Sequence, residues 1–421
     1  MKILNSIKEI YEKEKGNSPN ILSKRIDIKK EKIQEYNKQK LQAIKENPYK
    51  KVLVLSCGTG GGHNSAAKAI QEALTLKGVK TDFIEYLEII SPRVKDKVNN
   101  LYLKTTHGEG QVFKSVYHLG KKKKKTKFKS PVYGLNSLSK NRLLNYILKN
   151  GYNYIVTTHL FAAQALTAIK EENDIHFLAI ATDYVCIPFW EETNPDYFVI
   201  PNEELKESFT SKGIDENKLL PLGIPVAKRY SESYNINECK RELNLKEKER
   251  YVLILNGSMG FGNVLKLIEN LLKNFKDINF IVSCGNNTEL LQKLKKLSNR
   301  RIIAIGFTEK LNKYMACSEV VLTKPGGLTT TEVSTMRKPF IHTMPIPGCE
   351  NYNANFFYNK GMSLKSENIK ETITSLKLLL ENKEKQEMLI ENQKKYIDKK
   401  ASDKIADFII KELNKVDLWK N

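Results

Sequence analysis

Lys51-Val52-Leu53-Val54-Leu55-Ser56, then Gly58-Thr59-Gly60-Gly61-Gly62-His63, then the chain from Asn64 with Ala66, Ala67, Ile70, Ala73 and Leu74, read in turn as a buried strand, a loop and a helix. That succession is the opening βα unit of a doubly wound sheet. Further strands are predicted at 81–86, 153–157, 176–182 and 196–200, with helical stretches such as 161–171 and 203–212 interleaved. Pro221, Gly223 and Pro225 then punctuate a hinge. A second series begins at Tyr251-Val252-Leu253-Ile254-Leu255-Asn256 and enters its own loop, Gly257-Ser258-Met259-Gly260-Phe261-Gly262. Strands near 278–284, 301–305, 319–323 and 339–342 continue it, and the tail from about 366 is helical and charged. Two consecutive parallel α/β domains predict a site in the cleft between them, because such sheets bind at the carboxyl ends of their strands.

Composition agrees with two domains. A chain of 421 residues exceeds one ordinary core, and 40% hydrophobic residues can fill two. The six cysteines, Cys57, Cys186, Cys239, Cys284, Cys317 and Cys349, form no Cys-x-x-Cys pair, which argues against a zinc knuckle or disulfide framework and for a reducing cytoplasm. No stretch reaches the ~18 to 20 apolar residues of a membrane span. The N-terminus meets charges too early for a secretion signal, so a soluble or peripheral protein is expected. Ile3, Ile7 and Ile10, with Leu4 and Tyr11, predict a short basic amphipathic helix. The formal charge of +22 implies an anionic partner, nucleic acid or an acidic membrane, and composition does not choose.

Residues 324–332, Lys-Pro-Gly-Gly-Leu-Thr-Thr-Thr-Glu, follow the apolar run Val320-Val321-Leu322. A strand that ends in two glycines and a hydroxyl-rich helix start leaves backbone N–H groups beside a positive dipole end, which suits a phosphate. Glu332, about one helical turn on, could accept hydrogen bonds from sugar hydroxyls while staying clear of the phosphates. Nucleotide-sugar binding needs that pairing, although a glycine turn with an N-capped helix uses the same residues. The first loop lacks a P-loop lysine, and Glu85 is a weak acidic partner for dinucleotide binding.

His63, at the mouth of its helix, could face the cleft as a general base, its helix-start position favouring the neutral imidazole. A lone histidine there is more often structural or exposed. Asp183 emerges at the carboxyl end of Leu178-Ala179-Ile180-Ala181-Thr182, where it could orient a base, bind a hydroxyl or cap a turn; His159 has the same topological position. Lys121, Lys122, Lys123, Lys124, Lys125, Lys127 and Lys129 put seven lysines into nine residues around Phe128. With Val112, Phe113, Val116 and Tyr117 nearby, the run sets basic beside apolar surface, which favours an anionic membrane over nucleic acid.

With these residues in view, the chain from about residue 50 resembles the monogalactosyldiacylglycerol synthase and processive diacylglycerol glucosyltransferase group of glycosyltransferase family 28. The resemblance rests on Gly58 to Ala67, Thr182-Asp183-Tyr184 with Pro188-Phe189-Trp190, Gly223-Ile224-Pro225-Val226, Lys324 to Thr329 with Glu332, and Pro347-Gly348-Cys349-Glu350 with Asn353-Ala354. It implies a GT-B fold of two Rossmann-like domains facing a central cleft: an acceptor and membrane domain (51–225), a UDP-sugar domain (226–385) and a C-terminal helix crossing back (386–421), with the Lys-rich extension (1–50) outside the resemblance. It implies His63 as the base, with Asp183 in the catalytic site. Gly61 and Gly62 would lie beside the diphosphate, with Gly257, Ser258 and Gly260 approaching from the second domain. Phe307 would lie by the uracil, Gly326, Gly327, Leu328, Thr329 and Thr330 by the diphosphate, Glu332 by the ribose, and Glu350 with Asn353 at the sugar.

The implied reaction is inverting transfer of a hexose from a UDP-sugar to a membrane lipid, with diacylglycerol favoured, on the cytoplasmic face of the cell membrane. No cofactor is expected and no metal is assigned to the chemical step, since no Asp-x-Asp motif stands at the site and helix N-termini can stabilise the leaving diphosphate. Family members often carry Gly-Gln-Glu where this chain has Gly348-Cys349-Glu350, a departure that bears on the donor sugar. The other readings are transfer to a polyprenyl-diphosphate-linked sugar, a UDP-sugar 2-epimerase, and a basic nucleic-acid-binding protein on a sugar-nucleotide fold.

Overall fold

The computed structural model describes residues 22–47, 49–58, 61–90, 129–255, 264–343 and 348–418. Its strands form two six-stranded sheets in which every pairing is parallel. The first contains β1 (Lys51–Ser56), β2 (Lys80–Glu85), β3 (Tyr154–Thr157), β4 (Phe177–Ile180), β5 (Tyr197–Val199) and β6 (Leu219–Leu220), in the order β2-β1-β3-β4-β5-β6. The second contains β7 (Arg250–Leu255), β8 (Ile278–Ser283), β9 (Ile302–Ile305), β10 (Val320–Thr323), β11 (Phe340–Thr343) and β12 (Leu364–Ser366), in the order β12-β11-β10-β7-β8-β9. Val52, Leu53, Val54 and Leu55 are all buried, as a parallel strand covered on both faces requires.

Strand order reverses between β1 and β3, and again between β7 and β10. Crevices open at such points beyond the carboxyl ends of the strands. Helix α1 (Leu22–Glu46) precedes the first sheet, and the β1 crevice receives the start of α2 (Gly61–Leu76). Beside it, β3 delivers Thr158 and His159 to the start of α3 (Leu160–Lys170). Across the cleft, β10 delivers Lys324 to Gly327 and the start of α4 (Gly327–Thr335), which is followed by α5 (Cys349–Asn359). The fold therefore brings to one place the glycine-rich turns that stand nearly 270 residues apart in sequence.

Two chain crossings join the domains. After β6, Gly223 takes φ 96°, and a Cβ there would lie 3.0 Å from that of Ala401, so glycine suits both the backbone and the contact. The return comes after α6 (Lys383–Tyr396), in α7 (Ala401–Leu418). Ser402 Oγ donates to Val226 O at 2.7 Å and Ser231 Oγ to Lys399 O at 2.9 Å, pinning the two crossings together. Ile405, Ala406, Ile409 and Leu413 of α7 then join the core made by Val52, Val54, Ile70 and Leu74. The crossing begins after Tyr396 rather than at residue 386. Gln393 holds α6 on the second domain, its Nε2 donating to Lys338 O at 2.9 Å and Met362 O at 3.0 Å.

Two further features escape the sequence. Strands β6 and β12 are too short to show a period. Helix α1 is strongly charged, yet it buries Leu41 and Ile44, and Asn153 Nδ2 donates to Ile44 O at 2.6 Å. Part of the extension thus packs on the first domain; the helix predicted around Ile3 to Tyr11 lies outside the described residues. Among those residues no helix is long and apolar enough to cross a membrane.

Candidate active site

His63 is the third residue of α2 and half-buried. Its Nδ1 lies 2.9 Å from the Thr158 carbonyl oxygen and 3.0 Å from Thr182 Oγ1. A carbonyl can only accept, so Nδ1 carries the proton and Nε2 keeps the lone pair. Thr158 Oγ1 donates back to His63 O at 3.0 Å, fixing ring and backbone together. Burial lowers the imidazole pKa, opposed by the Asp183 charge and the Thr158 carbonyl. The ring is therefore neutral near pH 7, for reasons of burial more than of the helix start. His159 meets it edge to face at 4.7 Å, and burial together with His63 holds His159 neutral as well.

Residues Thr182 to Tyr184 cross from the first domain onto the second. A Cβ on Gly327 would lie 1.9 Å from Thr182 O, so only glycine admits this approach. Asn353 of α5, fully buried, spends its amide here. Its Nδ2 donates to Asp183 Oδ1 and to Pro325 O, each at 2.9 Å, and its Oδ1 accepts from Tyr184 N at 2.7 Å. Tyr184 stacks on Phe356 at 4.9 Å and meets Phe357 edge-on at 4.6 Å. Its hydroxyl lies 2.8 Å from Thr331 Oγ1, which itself donates to Gly327 O at 2.7 Å. Nearby, a Cβ on Gly62 would lie 3.6 Å from Leu328 Cβ, so the first glycine-rich turn faces the start of α4.

The charged groups around this junction are few. Lys324 is buried, and desolvation brings its ammonium down to about 8 against the opposing charge of Glu350. Burial, then Asp183 and Glu350, push the Cys349 thiol well above the ordinary range, so Cys349 stays protonated between two carboxylates. Glu332 is buried, and desolvation raises its carboxyl to about 7 although Arg229 and Tyr230 oppose the shift. No group of three metal-ligating side chains occurs among the described residues. The arrangement offers a neutral imidazole acceptor on one domain near a helix start on the other, with a buried lysine in the turn before that helix.

The family description "Monogalactosyldiacylglycerol (MGDG) synthase" matches residues 63–226, and "Glycosyltransferase family 28 C-terminal domain" matches residues 251–408. The chain belongs to glycosyltransferase family 28, in its monogalactosyldiacylglycerol synthase group. A processive diacylglycerol beta-glucosyltransferase from Bacillus subtilis (strain 168) is 28% identical over 338 residues, covering 78% of this chain and 87% of that protein. The crystal structure of MurG from Acinetobacter baumannii superposes with a TM-score of 0.55 at 17% identity, covering 86% of this chain and 99% of the other. UDP-GlcNAc 2-epimerase from Neisseria meningitidis gives 0.56 at 16%, covering 86% and 100%. The fold is GT-B, as expected, and both transferases and epimerases share it. Family membership, not fold, makes this chain a glycosyltransferase.

In this family 28 glycosyltransferase the structure brings together His63, Asp183, Gly62, Gly327, Leu328, Asn353, Cys349 and Glu350. Two residues expected at the donor are engaged within the protein. Thr330 is fully buried with its Oγ1 3.1 Å from His342 Nε2, and its N–H is bonded to Gly326 O at 3.0 Å, so it turns away from the cleft while Thr329 stays half-exposed. Asn353, expected at the sugar, has both amide hydrogens taken, one by Asp183 across the cleft and one by Pro325 O of its own domain. Lys129 pairs with Glu171, and its ammonium sits 3.8 Å from the Tyr133 ring centre. Phe307 is 75% exposed just beyond β9. Gly257, Ser258, Gly260, Lys121 to Lys125, Lys127 and Phe128 lie outside the described residues. Sequence reasoning gave no role to Lys324, Thr158 or Tyr184. Lys324 and Tyr184 stand inside the family motifs, and that was the only signal for them.

Proposed function

We propose that this glycosyltransferase moves a hexose from a UDP-sugar to diacylglycerol with inversion, giving a β-glycosyl-diacylglycerol at the cytoplasmic face of a membrane. The observation that carries the reading is the tautomer of His63, whose Nδ1 proton is held by the Thr158 carbonyl and whose Nε2 is left to accept a proton. The acceptor hydroxyl gives its proton to Nε2 as its oxygen forms a bond to the anomeric carbon. The bond from that carbon to the diphosphate oxygen breaks, and its electron pair leaves with UDP. One displacement inverts the centre, so an α-linked donor gives a β-product.

The departing charge meets the N–H groups that a helix start leaves without helical partners, and the ammonium of Lys324. These groups support a chemical step that needs no metal. Turnover is expected to survive EDTA; loss in EDTA with recovery in Mg²⁺ would overturn that part. The diacylglycerol acceptor is supported by the name of the Bacillus subtilis relative, and a membrane surface by the lysine run.

The test is transfer from radiolabelled UDP-glucose, UDP-galactose and UDP-N-acetylglucosamine onto anionic vesicles that contain either diacylglycerol or an undecaprenyl-diphosphate-linked sugar, followed by lipid extraction. Label in glycosyl-diacylglycerol is expected, and the donor that gives it names the sugar. Label only in the polyprenyl lipid, or only in a free altered sugar, would overturn the reading.

A further inference from the structure

His63 and Asp183 stand on the first domain, yet Asp183 is not held by it. The hydrogen bond that the structure gives its carboxylate comes from Asn353 Nδ2, on α5 of the second domain. Asn353 is itself fixed from both sides: Pro325 O, in the turn that leads into α4, takes its other amide hydrogen, and Tyr184 N donates to its oxygen. The segment that Asn353 grips also carries Thr182, whose hydroxyl is 3.0 Å from His63 Nδ1. A chain of contacts thus runs from the α4 turn through Asn353 to Asp183 and Thr182, and from there to the imidazole.

We infer that Asn353 is a positioning residue that holds Asp183 beside His63 only while the two domains are closed, so that the base is completed by the domain that binds the donor. This rests on the reading of His63 as the acceptor base. Two of its three amide bonds, to Asp183 and from Tyr184, cross the interface and are lost together when it opens, which makes the asparagine a switch rather than a graded contact. Asn353 therefore links donor-side closure to proton transfer and has no hydrogen left for the sugar.

The charged and titratable neighbours define the expected sign. Asp183 and His159 face His63, and Cys349 faces Asp183 from α5, with Glu350 and Lys324 beyond it. Of these, Asp183 is the group that raises the imidazole pKa. Releasing it should lower the His63 titration midpoint.

The experiment is an NMR titration of the full-length protein with ¹³C-labelled histidines, the His63 signal assigned by its loss in His63→Gln. It is run on wild type, Asn353→Ala, Asp183→Asn and the double variant. Asn353→Ala should lower the midpoint about as far as Asp183→Asn does, and the double variant should add nothing further. Tyr184→Phe, which breaks the neighbouring bond to Thr331, should leave the midpoint in place. An unchanged midpoint in Asn353→Ala, or additive shifts in the double variant, would overturn the inference. Asn353→Ser carries the test if the alanine variant does not fold. Because the readout is titration, a failed coupling is distinguishable from a failure of the transferase reading, which the lipid-labelling experiment reports by itself.

Discussion

Glu332 carries a cost to the fold. Its carboxyl titrates near 7 instead of the ordinary 4.5 because burial penalises the ionised form. A folded-state value above the unfolded one means that unfolding releases a proton between those pH values. Stability contributed by this group therefore falls as pH rises from about 4.5 to about 7, and is level above that. Glu332→Gln should raise the free energy of unfolding at pH 8 by an amount on the order of 1–3 kcal/mol, seen as a higher thermal midpoint, and change it little at pH 4.5. If Glu332 binds the ribose, the same variant should bind UDP more weakly in calorimetry. A variant equally stable at both pH values would contradict the burial argument, and unchanged UDP affinity would contradict the ribose role. The residue scale also shows where sequence reading stops. His63 and Asp183 are legible as polar residues at the carboxyl ends of buried strands. Asn353 and Thr330 are not, because what decides their roles is a partner 170 residues away in one case and a buried His342 in the other.

At the scale of elements, the long buried strands and the helices that follow them were legible because their apolar runs leave little ambiguity. From its own residues the tail was legible only as helix, its crossing back being what the family resemblance implied. Which domain it serves depends on Ile405, Ala406, Ile409 and Leu413, whose spacing announces an apolar face but not its destination. The structure places that face on the first sheet, and Lys77 pairs with Asp407 at 2.8 Å along its edge. Ile409→Ala should cost about 2–5 kcal/mol, since it leaves a cavity in a packed core. Its unfolding midpoint in urea should fall accordingly. A midpoint within error of wild type would mean that the tail helix is not part of the first domain's core in solution.

For the whole molecule, the contacts of Thr182 to Tyr184 with Gly327, Thr331 and Asn353 are among those that join the two domains. Net charge acts at the same scale. With +22 on the chain, and lysines each adding about 1 kcal/mol near an anionic surface, binding to phosphatidylglycerol vesicles should exceed binding to phosphatidylcholine vesicles more than tenfold. Raising salt should erase the difference, because exposed charges are screened. Equal sedimentation with both vesicle types would remove charge as the membrane determinant.

The central claim is that an imidazole on one domain takes the proton while the other domain holds the donor, so the decisive measurement separates the two. It is the transfer rate of His63→Ala at saturating donor, measured beside its UDP affinity by calorimetry. A fall in rate on the order of 100-fold or more is expected, with UDP binding unchanged. A rate near wild type would contradict the claim.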